Sequence, residues 1–97
     1  MITFEEAADV FCVRTDAPQG YTLVQHAHEH DHLSILAQGT ARVTTDGVSR
    51  DYAGPAVLTI KAHSAHEVYA VTPIVWFCLW GSEHGMQNAA PPLKLEA

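Results

Sequence analysis

Apolar residues in this chain fall in short runs divided by turn residues. The runs are rich in Val, Ile, Leu, Thr and Tyr, and none is long enough for an amphipathic helix. They predict strands at Val10–Arg14, Tyr21–His28, His32–Ala37, Ala41–Thr45, Val48–Tyr52, Ala56–Ile60, Glu67–Val71 and Ile74–Trp80. The breaks between them have their own chemistry. "DAPQG" (16–20) is a turn, and Asp46-Gly47 between two Thr/Val-rich runs predicts a hairpin. "AGP" (53–55) and "TP" (72–73) are further breaks. The segment "ITFEEAADVF" has room for one short helical turn. The last residues, "GSEHGMQNAAPPLKLEA" (81–97), are expected to be extended or poorly ordered, lying along a neighbour. About eight short strands in one small chain predict an all-β single domain. Its core spans about residues 10–80, closed as a small barrel or jelly roll.

The stretch "QHAHEHDH" (25–32) puts His26, His28, His30 and His32 at alternate positions. A metal site, a pH sensor and a polar strand all have this composition. In a strand, residues i and i+2 share a face. His26 and His28 then project together with Thr22 and Val24, while Tyr21 and Leu23 take the other face. Imidazoles on the inner wall of a barrel are costly to bury unless their nitrogens are satisfied. A divalent metal satisfies them, and neutral imidazole is its commonest protein ligand. "EHD" (29–31) reads as a turn, so His32 opens the next antiparallel strand and returns to the same place. His66, in "KAHSAHEVY" (61–69), opens a later strand and completes a set of four. His30 in the turn, His63 at the barrel mouth and His84 in the tail fall outside that set.

Residues 20–39 read G-x5-H-x-H-x3-H-x6-G, through Gly20, His26, His28, His32 and Gly39. This resembles the first motif of the cupins, with His32 where most members have glutamate. The segment from Gly54 to His66 resembles the second cupin motif, with "IKAHSAH" in place of Ile-Pro-Ala-Gly-x-x-His. Lys61 stands for the proline and His63 for the glycine, and Ala70 stands where asparagine is usual. The resemblance covers roughly residues 10–80. It implies a double-stranded β-helix, commonly a homodimer, of the small cupin subset that holds a metal on four histidines. The implied cofactor is one divalent transition metal per chain, Mn, Fe, Ni, Cu, Co or Zn, on His26, His28, His32 and His66.

Charge narrows the partners. Five Lys/Arg face eleven Asp/Glu, a net charge of −6, and no basic patch suggests nucleic acid or an acidic membrane. The opening "MITFEEAADVF" places acids before any apolar run, the reverse of a secretion signal, so a cytoplasmic location is expected. Cys12 and Cys78 are spaced as isolated thiols. Four neutral imidazoles leave a divalent ion near its full charge, a strong Lewis acid that favours enolates, carboxylates and catecholates. The expected function is therefore metal-dependent chemistry on a small organic molecule, with dioxygenase-like oxidative cleavage favoured. The alternatives are a non-catalytic ligand-binding or sensing protein, an isomerase or cyclase, and a dimer whose metal only staples the fold. Tyr21, Leu23, Leu33 and Ile35 predict an apolar face away from the histidines, to be covered by a second copy. Glu67, Tyr69, Trp76 and Cys78 are candidate wall residues, although the strand "IVWFCLW" reads first as core packing.

Overall fold

The computed structural model describes residues 1–25, 29–84 and 93–96. These hold ten strands and no helix: β1 (Ile2–Ala7), β2 (Val10–Ala17), β3 (Thr22–Gln25), β4 (His32–Gln38), β5 (Thr40–Thr45), β6 (Val48–Ala53), β7 (Ala56–Ile60), β8 (His66–Ala70), β9 (Ile74–Gly81) and β10 (Leu93–Glu96). They form two antiparallel five-stranded sheets, ordered β1-β2-β9-β4-β7 and β10-β3-β8-β5-β6. The inner faces of the sheets enclose one core.

The N-terminal end of the chain differs from the sequence expectation. Residues 2–11 form no helical turn. Ile2–Ala7 instead pairs with β2, from Ile2↔Thr15 to Ala7↔Val10, around Ala8 and Asp9 at φ 50 and 61. The period-2 pattern explains this, because Ile2 and Phe4 share the inner face with their partners Thr15 and Val13. The turn has the two successive positive φ values of a tight hairpin without the glycine that usually marks it. Near the C-terminus, Leu93–Glu96 adds to β3 of its own chain, from Leu93↔Gln25 to Glu96↔Thr22. Without it β3 would be an uncovered sheet edge.

The core is built on β9, the middle strand of its sheet. Ile74, Trp76, Cys78 and Trp80 face inward and are buried, while Val75, Phe77 and Leu79 are half-buried on the outer face. The strand therefore serves core packing. Trp76 Nε1 donates to Cys78 Sγ at 3.3 Å, and Ser34 Oγ lies 3.6 Å from the same sulfur. These contacts place buried polar atoms where a donor or acceptor would otherwise be stranded. Cys12 and Cys78 form no disulfide. They sit on adjacent strands but on opposite faces, since Cys78 pairs with inward Val13 and Cys12 with Leu79.

Leu23 corrects the expected outer face. It is 2% exposed and opposes Val68, which is fully buried, so it belongs to the core. Tyr21 also packs against that core. Leu33 and Ile35 do face outward, and Leu33 is 49% exposed. Directly paired residues of antiparallel strands share a face, so pairing with inward Val68 decides the side Leu23 takes.

The glycines that open and close the first motif both take positive φ, +87 at Gly20 and +89 at Gly39. Their surroundings differ. A Cβ on Gly20 would meet nothing, whereas one on Gly39 would run into the Pro73 carbonyl oxygen and Thr72 Oγ1. Gly39→Ala is therefore expected to destabilise by roughly 3–5 kcal/mol, from backbone strain plus overpacking. Gly20→Ala should cost only about 1 kcal/mol, from the strain alone. Urea unfolding of the two variants measures the difference, and equal midpoints would refute it.

Candidate metal centre

His32 is the first residue of β4 and His66 the first of β8, so each sheet delivers one imidazole at the start of a strand. Each is 5% exposed, and the ring centroids are 5.8 Å apart. The fold therefore gathers these two sequence-predicted ligands at one end of the barrel. The register continues the convergence, because Gln25, the last residue of β3, opposes His66. His26 and His28, which follow it in the chain, lie outside the described residues. Among the described residues no cluster of three or more His, Cys, Asp or Glu forms a metal cage.

His66 is anchored by its own loop. Its Nδ1 lies 3.2 Å from the Ser64 carbonyl oxygen. A carbonyl only accepts, so Nδ1 carries the hydrogen and Nε2 holds the lone pair in the neutral ring. Nε2 is buried with no hydrogen-bond partner among the described residues. This is the arrangement in which a metal-binding imidazole is usually held, one nitrogen on a carbonyl and the other left to coordinate. Ser64 is itself fixed: its Oγ donates to Asp46 Oδ2 at 2.9 Å, across from the β5–β6 hairpin. Burial pushes the His66 pKa below its usual 6.5, against smaller opposing effects of the Ser64 carbonyl and the Asp46 charge. The site thus favours the neutral ring that a metal needs.

Asp31 ties the two loops that lead into β4 and β8. Its Oδ1 accepts from the Ala62 N–H at 2.7 Å, and Lys61 Nζ stands 3.7 Å from its Oδ2. The Ala62 hydrogen bond is the main reason its carboxyl is held below the usual range. Between Ala62 and Ser64, exposed His63 has φ 63. That left-handed conformation is natural for glycine, which is the residue at this point of the cupin motif that the segment resembles.

The remaining histidines are more engaged than their sequence positions suggested. His30 is half-buried, and His84 stacks on it with centroids 3.7 Å apart and planes 14° from parallel. Trp80 lies edge-on to His32 at 5.8 Å and stacks on Phe11 at 5.7 Å. An aromatic wall from β2 and β9 thus backs the histidines. Sequence reasoning set His84 aside as a tail residue and did not single out Ser64, Asp46 or Trp80. The inward parity of "IVWFCLW" was the one available signal for Trp80.

No protein-family model matches the chain, and no curated protein matches it. Solved structures do. KdgF from Halomonas sp. superposes with a TM-score of 0.71 at 22% identity, over 80% of this chain and 74% of that one. A cupin 2 conserved barrel domain protein from Salinispora arenicola gives 0.73 at 18% identity, over 91% and 81%. A cupin superfamily protein from Desulfitobacterium hafniense gives 0.72 at 18%, over 84% and 77%. The fold is the cupin double-stranded β-helix. At these identities the likeness is one of fold, and it agrees with the architecture implied by the two motifs. No helix among the described residues of this cupin fold is long and apolar enough to cross a membrane.

The lowered pKa of His66 gives a signed expectation for the metal-free protein. The unfolded chain takes up a proton near pH 6.5 before the folded chain does. Stability supplied by the neutral ring is complete above that pH and falls as the pH drops toward the lower folded value. The thermal midpoint of chelator-treated protein should decline from pH 6.5 to 5, and less steeply in His66→Gln. An identical slope in the variant would contradict the assignment.

Proposed function

We propose that this cupin-fold protein binds one divalent transition metal through His26, His28, His32 and His66, in the cytoplasm. We propose further that it uses the ion in chemistry on a small enol, carbonyl or aromatic substrate. The observation that carries the reading is the His32–His66 pair: two buried rings 5.8 Å apart, one of them with its Nδ1 on a carbonyl and its buried Nε2 unpartnered among the described residues. A buried Nε2 left without a partner is costly unless something binds it, and that is the place of His66 Nε2 among the described residues. The donors are borderline nitrogen ligands, suited to Zn, Cu, Ni, Co, Fe or Mn, and not to a hard cation that demands oxygen.

The reading makes a demand on β3. Its alternation runs through inward Leu23, so an unbroken strand would send the even-numbered positions outward with Thr22, which opposes exposed Tyr69. The register with β8 is regular to Gln25↔His66, so for His26 and His28 to join His32 and His66 the alternation must slip by one residue after Gln25, as a β-bulge does.

When bound, the ion would supply Lewis acidity toward an anionic oxygen of the substrate. The chain's own contributions follow from its geometry. Ser64 and Asp46 orient His66, Asp31 holds together the loops before β4 and β8, and Trp80 with Phe11 shields the histidines from water on one side. Oxidative, dioxygenase-like cleavage is the preferred reaction. The alternatives are isomerisation or cyclisation at the same ion, and ligand binding without turnover. Substrate-dependent dioxygen uptake in a screen of enols and catechols, absent from the chelated protein, supports the first. Anaerobic turnover supports the second.

Metal content tests the ligand set. Elemental analysis should give one ion per chain for the parent and for His30→Ala. His26→Ala, His28→Ala, His32→Ala and His66→Ala should each lose most of it. Ser64→Ala should weaken affinity by about tenfold, because it releases the carbonyl that orients His66. If His30→Ala empties the site and His32→Ala leaves it full, the ligand set is wrong.

The reading includes a homodimer. The outer face of β4, β7 and β9 exposes Leu33 and Val57, at 49% and 70%, beside half-buried Ile35, Phe77 and Leu79. A groove of about 440 Å³ runs from Val10, Leu33, Thr59 and Leu79 on that face to Asp31, His32 and Trp80 at the histidine end. Sedimentation should show a dimer at micromolar concentration and a monomer for Leu33→Glu. A monomeric parent would exclude the dimer.

A further inference from the structure

Beside the histidine end of the barrel, a second feature has no part in metal binding. The sheets do not close on each other along the β6 and β7 edges. Between those edges is a cleft of about 380 Å³. Its walls include Val43, Val48, Leu58 and Ile60, with Tyr52 and Arg50 among them.

Arg50 stands out by its position. It opposes Val43, which is buried in the core, so Arg50 lies on the inner face of β6. Three other cations have acids. Arg14 pairs with Asp16 at 2.9 Å, Arg42 with Asp51 at 2.8 Å, and Lys61 with Asp31 at 3.7 Å. Arg50 forms no ion pair among the described residues. The cleft therefore offers an exposed guanidinium, a planar and permanently charged fork, beside walls that mix Val43, Leu58 and Ile60 with Thr45 and Thr59, and the fork matches a carboxylate on two oxygens. Edge strands add backbone groups left over from their own ladders.

The cleft also points toward the histidines. Ile60 on one wall is the register partner of His32, and Thr45 on the other is the partner of His66. We propose that this cleft binds a small monocarboxylic acid, with the carboxylate on Arg50 and the apolar body between Val43, Val48, Leu58 and Ile60, its far end next to His32 and His66. The link to the histidines rests on the metal reading above. The carboxylate site itself does not.

An inward charge on an edge strand has one other use, which is to block edge-to-edge pairing. The two roles separate in one experiment on the metal-free full chain. Amide shifts are followed by NMR during titration with benzoate and with its neutral analogue benzamide. Benzoate should move Val43, Arg50 and Leu58 saturably, and benzamide should bind at least tenfold more weakly. Arg50→Gln should lose at least tenfold in benzoate affinity while keeping a dispersed, folded spectrum, and Arg50→Lys should retain part of it. The proposal is overturned if benzoate gives no saturable shift there, if the two probes bind alike, or if Arg50→Gln binds benzoate as the parent does and only self-associates. Because no metal is present, failure here leaves the histidine site standing. Conversely, loss of the histidine site would not touch this result.

Discussion

Two buried imidazoles set close together inside a small barrel must be held in place. Burying such polar rings without partners costs a few kcal/mol each. Much of the local architecture around His32 and His66 answers that constraint. Each ring sits at the first residue of its strand, where the backbone is fixed on one side and a loop can supply a hydrogen-bond acceptor on the other. The Ser64 carbonyl takes the Nδ1 hydrogen of His66, and Asp46 takes the hydroxyl of Ser64. A hairpin turn in one part of the chain thereby steadies a ring twenty residues away.

The loop before β8 shows how sequence and geometry trade against each other. Two of its features hold it in shape: the Ala62 N–H on Asp31 and the left-handed backbone at His63. The first is a long-range contact that substitutes for local turn chemistry. The second is a conformation disfavoured by about 1–2 kcal/mol in residues with a Cβ. The loop keeps the backbone path that glycine would take at His63, so the path is enforced from outside the residue. The tie to Asp31 and the anchoring of Ser64 on Asp46 flank it and supply that enforcement.

Most strands were legible because alternation is a local signal. β2 and β4 to β9 carry it in single short runs bounded by Gly, Pro or Asp. β1 was missed as a strand because its turn, Ala8-Asp9, lacks the glycine that advertises a hairpin, and because the successive Glu5 and Glu6 interrupt its alternation. The ending Leu93–Glu96 has a clear period of two, but nothing local says which edge it will join. At the site, the start of β4 at His32 and of β8 near His66 followed from turn positions. The link from Asp46 to Ser64 did not, since it joins residues eighteen apart through a fold-level contact. Leu23 went to the wrong face for a similar reason. Alternation tells which residues share a side, but only pairing with Val68 tells which side is in.

The charge distribution joins the two proposed sites. A net charge of −6 raises the local concentration of cations around the chain and opposes the approach of anions. A divalent ion would gain from that field on its way to the proposed histidine site. An anionic ligand must work against it, so any anion site has to be local, short-ranged and screened from the acids. The inner face of β6 meets those terms. Asp51, the acid next to Arg50 in sequence, projects to the other face and is already engaged by Arg42. With Asp51 turned outward and paired with Arg42, the guanidinium in the cleft and an ion on the histidines would act on the same side of the barrel wall. Their fields would add over the few residues between them, where the protein's low polarizability screens charge less than water does.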